Sequence, residues 1–139
     1  MQRQDYILRL IEQLGLFFRQ VTQLRQTRRH DEALMELVRA QETLFGRGTG
    51  EFSAWSIDQQ FDHLVAGEPP TRAAEKAAVY AALLRTAAQV YRDREQEALE
   101  QGAGLLADSI EAMAAGRFPT EAEAAFRRVS AQRETGSAG

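Results

Sequence analysis

The sequence predicts an all-α protein of about six helices, arranged in antiparallel helical hairpins. Three observations support this class. Apolar residues recur at helical spacing along most of the chain, only three prolines interrupt it, and alanine, leucine, glutamate, glutamine and arginine dominate over β-branched residues. At 139 residues, 44% of them hydrophobic, the chain can bury one core. We expect a single helical domain over residues 1–133 and a disordered tail over residues 134–139.

The first helix is predicted from about Asp5 to Arg28, with Asp5 as its N-cap. Its apolar residues form one broad face: Tyr6, Ile7, Leu10, Ile11, Leu14, Phe17, Phe18, Val21 and Leu24. Leu8 and Leu16 fall on the opposite side, two turns apart. Gly15 lies at the edge between the two sides, where a missing side chain lets another backbone come close. The first helix is therefore expected to have partners on more than one side.

The second helix is predicted to begin with Asp31 as its N-cap and to end at Gly46. The connection between the first two helices is short and polar, so we expect them to pack as an antiparallel hairpin.

The segment Gly46–Ser56 is predicted to be a loop. Its glycines alternate, yet no Gly-Lys-Ser/Thr follows them, so a phosphate-binding loop is excluded. Phe52 and Trp55 are expected to fold back onto the hairpin, because large aromatic side chains favour burial. Ser56 and Gln59 have the spacing of a capping box and open a short third helix.

The remaining chain predicts three more helices. A fourth helix over 71–93 has two apolar faces, which suits a helix between neighbours on both sides. A fifth helix runs from about Glu95 to Ala115. The last helix begins at the capping box formed by Thr120 and Glu123, and its thin apolar stripe is typical of a short terminal capping helix.

The two long hairpins have similar turns, RRHDEAL and DREQEAL. In a tetratricopeptide repeat, a small residue near the start of the second helix packs on the first helix, with further packing positions four and seven residues later. Two sets of residues fit this spacing: Ala33, Leu37 and Ala40, and Ala98, Gly102 and Leu105. We expect a tetratricopeptide-like array. The alternative is a helical bundle whose alanines reflect helix propensity alone.

The N-terminal phrase QDYILRLIEQL, Gln4 to Leu14, resembles the opening of an uncharacterised family of small bacterial helical proteins that is grouped as a domain of unknown function. The similarity continues to the DEAL turn at Asp31–Leu34. The resemblance implies tetratricopeptide-like hairpins over most of the chain, and it supplies neither an activity nor catalytic residues.

The composition narrows the range of possible functions. The chain has no cysteine, which excludes disulfides, thiolate metal sites and cysteine nucleophiles. A net charge of -3 provides no general attraction to nucleic acid or to anionic membranes. No apolar run approaches the length of a membrane span, and the N-terminus lacks the apolar core of a signal peptide. A cytoplasmic location and no cofactor are expected.

Four arginines, Arg19, Arg25, Arg28 and Arg29, lie between Gln13 and His30 with no acidic residue among them. They could bind phosphate, nucleic acid or an acidic partner. The favoured interpretation is structural, because cations stabilise helix C-termini and arginine stems cover apolar surface.

Asp58, Asp62 and His63 share the short third helix and could begin a metal or acid–base site. One histidine and two carboxylates match no recognised set of ligands, so a solvated helix face is favoured. The sequence has no catalytic triad and no HExxH pair. We therefore expect no catalytic and no metal-binding residues, and we expect that the protein is not an enzyme.

These observations favour a non-catalytic helical adaptor that binds a protein partner or a second copy of itself as a homodimer. The partner-binding residues are predicted to be Leu8, Gly15, Leu16, Arg19, Arg25, Arg28 and Arg29. The alternative is a binder of nucleic acid or phosphate groups through the arginine cluster.

Overall fold

The computed structural model describes Arg9 and residues 11–138, with side chains up to residue 136, and this part of the chain is all-α. The helices are α1 (Leu14–Gln26), α2 (His30–Phe45), α3 (Thr49–Phe52), α4 (Ile57–Val65), α5 (Pro70–Asp93), α6 (Glu97–Arg117) and α7 (Pro119–Ala138). The predicted all-α class is confirmed. The predicted N-cap Asp5 and the predicted partner-binding residue Leu8 lie outside the described residues.

Two tight turns form the long hairpins. Three residues connect α1 to α2, and three connect α5 to α6. Each turn contains a non-glycine residue in the left-handed region, Arg28 with φ 60° and Glu95 with φ 58°. Each of these residues precedes the start of the next helix by two positions, so the turns have the same construction. The antiparallel hairpins follow from these short connections.

Helix α5 is the centre of the molecule. More than half of its residues are buried, and α2, α4, α6 and α7 all pack against it. Many of the buried positions are alanines, whose small side chains let helices approach on several sides. The sequence expectation of a helix between neighbours on both sides is therefore met, with four packing partners.

Helix α7 differs from the short capping helix that the sequence predicted. It has 20 residues and packs along both α5 and α1. Contact between α1 and α7 closes the bundle, whereas each unit of an open repeat array contacts only its neighbours. A disordered tail was expected over residues 134–139, and in the structure α7 continues through the first part of this segment to Ala138. Packing against α1 stabilises residues that would form little helix alone.

The two sets of expected repeat positions have different environments. Ala33, Leu37 and Ala40 are buried, as the tetratricopeptide spacing predicted. Gly102 and Leu105, from the second set, are exposed, and so is Ala98. The buried stripe of α6 comes later, at Ala107, Ile110 and Ala114. The similar turn sequences therefore do not give the two hairpins the same packing register.

The segment between α2 and α4 is more ordered than a plain loop. It contains α3, whose first residue Thr49 donates its backbone N–H and its hydroxyl to Glu42 Oε2, at 2.9 and 3.0 Å. These two hydrogen bonds lower the pKa of Glu42. Phe52 is buried and stacks on Phe45 at 4.3 Å between ring centroids. The prediction that Phe52 folds back onto the hairpin is confirmed.

Helix α4 begins as the sequence predicts. Gln59 N–H donates to Ser56 Oγ at 3.1 Å, and Ser56 N–H donates to Gln59 Oε1 at 2.9 Å. This reciprocal pair satisfies two backbone donors that would otherwise lack partners at the helix start.

Candidate functional site

An open groove of about 850 Å³ lies between α1 and α2. We call it the α1–α2 groove. Its lining residues are Gln20, Gln23, Leu24, Gln26, Thr27, Arg29, Glu32, Met35, Glu36 and Arg39. The volume lies within the range of about 300–1,000 Å³ that is typical of small-molecule pockets. The groove is open along its length, which suits an extended or helical segment better than an enclosed small molecule.

The charges along the α1–α2 groove compensate one another. Arg29 pairs with Glu32, and Arg39 pairs with Glu36 at 3.0 Å, both across one turn of α2. The opposite wall, on α1, contributes the amides of Gln20, Gln23 and Gln26. An amide can donate and accept hydrogen bonds, so this wall can pair with either type of backbone group. The groove therefore has no net charge and many hydrogen-bonding groups.

Two apolar residues give the groove a hydrophobic component. Leu24 is half-buried and packs against the core, whereas Met35 is 52% exposed. A flexible methionine at a surface adapts to differently shaped partners. Met35 was not among the partner-binding residues that the sequence predicted.

Leu16, which the sequence placed outside the main apolar face, is also 52% exposed. It lies four, seven and eleven residues before Gln20, Gln23 and Thr27, so all four share one face of α1. Leu16 thus extends the α1 wall of the groove toward the helix start. Leu8, its predicted companion, is outside the described residues.

Gly15 was expected to let another backbone approach, and the backbone of α7 does lie nearby. The residue whose missing side chain permits this contact is Gly136. A methyl group at Gly136 would lie 2.7 Å from Phe18 Cβ, 2.9 Å from Arg19 N and 3.0 Å from Gly15 O. A methyl group at Gly15 would meet no atom within 4 Å. Gly15 therefore contributes its carbonyl oxygen to the close contact between α1 and α7, and the missing side chain that this contact requires is that of Gly136.

The predicted arginine cluster is only partly available for an external anion. Arg25 donates Nε to Asp93 Oδ2 at 2.7 Å and Nη1 to Gln89 Oε1 at 3.1 Å, which ties α1 to α5. Arg19 and Arg28 are exposed and form no ion pair within the described part of the chain. With Arg29 held by Glu32, two of the four arginines already have acidic partners.

A cavity of about 630 Å³ brings two of the four arginines together. It is lined by Thr22, Arg25, Gln26, Arg28, His30, Gln89 and Asp93. A neighbouring cavity of about 290 Å³ is lined by Arg28, Arg29, His30, Asp31, Glu32 and Arg94. Arg94 pairs with Asp31 at 2.6 Å. Carboxylates therefore alternate with the cations around these cavities and reduce their positive potential.

Of the three α4 residues considered for a metal or acid–base site, His63 and Asp62 have structural partners. His63 Nε2 lies 2.9 Å from the carbonyl oxygen of Phe45, and its ring packs against Trp55 at 4.9 Å. Asp62 pairs with Arg117 at 3.5 Å, while Asp58 is exposed. Across the described residues, no three histidine, aspartate or glutamate side chains are grouped to hold a metal ion.

One buried polar network was not predicted from the sequence. Gln60 is 6% exposed and donates Nε2 to the carbonyl oxygens of Phe52 at 3.2 Å and Trp55 at 3.3 Å. Its Oε1 accepts the hydroxyl proton of Tyr80 at 2.6 Å. The network connects the α3 segment, α4 and α5, so its role is to hold the core together.

Among the helices described, none is long and apolar enough to cross a membrane. Comparison of the chain with protein-family models, curated proteins and solved structures finds no match. The resemblance of Gln4–Leu14 to an uncharacterised bacterial family therefore remains a prediction.

Proposed function

We propose that this chain is a cytoplasmic, non-catalytic helical domain that binds a protein partner in the α1–α2 groove. The observation that carries the proposal is the groove itself, with Met35 half-exposed on one wall and a row of glutamine amides on the other. Exposed apolar side chains beside unpaired hydrogen-bonding groups are typical of recognition surfaces, where a few apolar anchors provide most of the binding energy.

The groove favours a partner segment of particular chemistry. Its charges are already paired on α2, so a strongly acidic or basic segment gains little from it. A mainly neutral segment could place an apolar side chain between Leu24 and Met35 and hydrogen-bond to Gln20 and Gln23. An amphipathic helix or an extended peptide meets this description.

The proposal is tested by site-specific photocrosslinking in cells that produce the protein. A benzophenone amino acid replaces Met35 in one variant and Leu105 in another, because Leu105 lies on α6 and is more exposed than Met35, at 67% against 52%. We expect a discrete crosslinked protein from position 35 and none from position 105. A second round adds Gln23→Glu at the opposite wall, which should weaken the crosslink at position 35. Crosslinks of equal yield and identity at both positions would contradict the groove assignment.

The self-association form of the proposal has a separate test. Leu16 is exposed on the α1 wall, so Leu16→Glu should leave the fold intact and disrupt any interface that covers this face. Sedimentation equilibrium of wild type should give twice the chain mass, and the variant should give the monomer mass. If both proteins are monomers at high concentration, the partner is a different chain.

The alternative function is binding of nucleic acid or phosphate groups through the arginine cluster. The observation in its favour is the shared cavity that contains Arg25, Arg28 and His30. Fluorescence anisotropy with a labelled oligonucleotide should then show affinity that falls steeply with salt concentration. Arg28→Glu combined with Arg29→Glu should abolish it. Absence of binding at low salt would remove this alternative.

A further inference from the structure

Arg133, on α7, has an unusual electrostatic position. Its side chain is half-buried, and its Nε donates to the hydroxyl oxygen of Thr86 at 3.1 Å. Thr86 is buried, and its own hydroxyl proton goes to the carbonyl oxygen of Ala82 at 2.9 Å. Within the described residues, no carboxylate forms an ion pair with Arg133. Its two terminal nitrogens therefore retain donor capacity with no anion to receive it.

The neighbouring arginines differ from Arg133 in this respect. Arg85 pairs with Asp108 at 3.0 Å and Glu111 at 2.7 Å, and Arg127 pairs with Glu123 at 2.7 Å. Burial lowers the pKa of Arg133, the positive charges of Arg85 and Arg25 lower it further, and Glu134 offsets part of this effect. Arg133 is thus a partly desolvated cation beside two other cations.

A cavity of about 200 Å³ lies next to this guanidinium, between α5, α6 and α7. Ala78, Ala81 and Ala82 of α5 line it together with Phe126 and Val129 of α7. The polar lining residues are Arg85, Glu111, Arg127, Ser130 and Arg133. The volume is below the range of about 300–1,000 Å³ for drug-sized ligands, so the cavity suits a ligand of few atoms.

We propose that this cavity binds the carboxylate or phosphate group of a small molecule, with Arg133 as its anchor. The planar guanidinium matches the geometry of both groups, and the apolar alanine surface strengthens its hydrogen bonds by lowering the local dielectric. The hydroxyl of Ser130, three residues before Arg133, is a second donor on the same helix. Glu111 also lines the cavity, and its charge is held by Arg85. A bound anion would supply the compensating charge that Arg133 lacks.

The site is tested by titrating the isotope-labelled protein with sodium phosphate and, separately, sodium acetate and sodium butyrate, at ionic strength held constant with sodium chloride. We expect saturable amide shifts near Ser130, Arg133 and Ala82 with at least one of these anions. Phosphate-selective shifts assign a phosphate group, and stronger shifts with butyrate than with acetate assign a carboxylate on a short apolar body.

Arg133→Met should weaken the binding about tenfold or more, because it removes the charged donor. Arg128→Met is the matched control, since Arg128 lies on α7 outside the cavity and should leave binding unchanged. Arg133→Lys keeps the positive charge and loses the planar guanidinium, so it should also bind the anion more weakly. This variant replaces Arg133→Met in the test if the methionine variant does not fold. No saturable shift with any of the anions in the wild type, or equal affinity in an Arg133 variant, would overturn the proposal.

Discussion

Gly136 shows how a single hydrogen atom in place of a methyl group can decide the packing of two helices. The backbone of α7 touches α1 at this residue, with Phe18 Cβ only 2.7 Å from the position a methyl group would take. Phe18 is fully buried, so it has little room to move away. The steric conflict should outweigh the gain in helix propensity that alanine usually brings, which is at most about 1 kcal/mol.

We therefore expect Gly136→Ala to lower the free energy of unfolding by about 1–2 kcal/mol, measured by urea denaturation. Gly102→Ala is the matched control, because Gly102 lies inside α6 with no atom within 4 Å of the added methyl group. That change should raise stability by about 0.5–1 kcal/mol. Stabilisation by both substitutions would mean that α7 does not contact α1 as described.

The hydroxyl of Tyr80 completes the bonding of buried Gln60. Tyr80→Phe removes the hydroxyl that donates to Gln60 Oε1 and should lower the free energy of unfolding by about 1–3 kcal/mol. Tyr91→Phe is the control, since Tyr91 is half-buried and should change stability by less than about 0.5 kcal/mol. Equal effects of the two substitutions would argue against the network.

The same residue gives stability a dependence on alkaline pH. Burial raises the pKa of Tyr80 well above its ordinary value of about 10, because the apolar surroundings disfavour the phenolate. The unfolded chain loses this proton near pH 10, while the folded chain keeps it. The contribution of the protonated Tyr80 to the free energy of unfolding is therefore fully present below pH 10 and is lost progressively as the pH rises above 10. Wild type should lose stability from pH 9 to 11 more steeply than Tyr80→Phe, as measured by denaturation at each pH.

At the scale of helices, one buried ion pair holds the segment that leads into α5 against the helix. Lys76 is the only lysine in a chain that otherwise uses arginine for its positive charges. Its Nζ lies 3.0 Å from Glu68 Oε2, and the two side chains are 3% and 9% exposed. The other oxygen of Glu68 is buried and has no hydrogen-bond partner among the residues that the structure describes. This pair joins the connection after α4 to the second turn of α5.

Removing one member of this pair leaves the other charge buried. Lys76→Met should lower the free energy of unfolding by about 3–5 kcal/mol, and the double variant with Glu68→Leu should recover most of the loss. Arg39→Met provides the comparison, because it breaks an exposed pair and should cost less than about 1 kcal/mol. Calorimetric melting of the four proteins measures these differences. A small effect of Lys76→Met alone would mean that water reaches the pair.

At the scale of the whole molecule, α5 is expected to be the last helix to lose its protection from hydrogen exchange. This helix is enclosed by α2, α4, α6 and α7, so its amides can exchange only when the molecule opens globally. Hydrogen exchange measured by mass spectrometry should give the slowest rates for residues 77–84 and much faster rates for α3, which has four residues. Faster exchange in the middle of α5 than in α1 would contradict a central position for this helix.

The helices and their buried faces follow from local sequence patterns. The spacing of Phe18 and Val21 predicts their burial, and Leu16 was correctly expected to lie outside that face. Ser56 and Gln59 form the capping box that their spacing implies. Such features depend on residues a few positions apart, so the sequence alone reveals them.

Features that depend on distant residues were not predictable in this way. The sequence ETGSA at the end of α7 has weak helix propensity, and its packing contact joins Gly136 to Phe18, 118 residues earlier. The packing register of α6 was missed because its apolar residues do not form one strong stripe. In the candidate site, the sequence predicted Leu16 as a partner-binding residue. It did not predict the α1–α2 groove, because the groove exists only once α2 is packed beside α1.

The contact between α7 and α1 also has a consequence for protein synthesis. Phe18 is synthesised before the residue that contacts it, Gly136, which follows it by 118 residues. At about 5–20 residues per second, this face of α1 remains without its final partner for on the order of 10 s. During that interval the nascent chain has an uncovered apolar helix face and is a substrate for the chaperones that bind such surfaces.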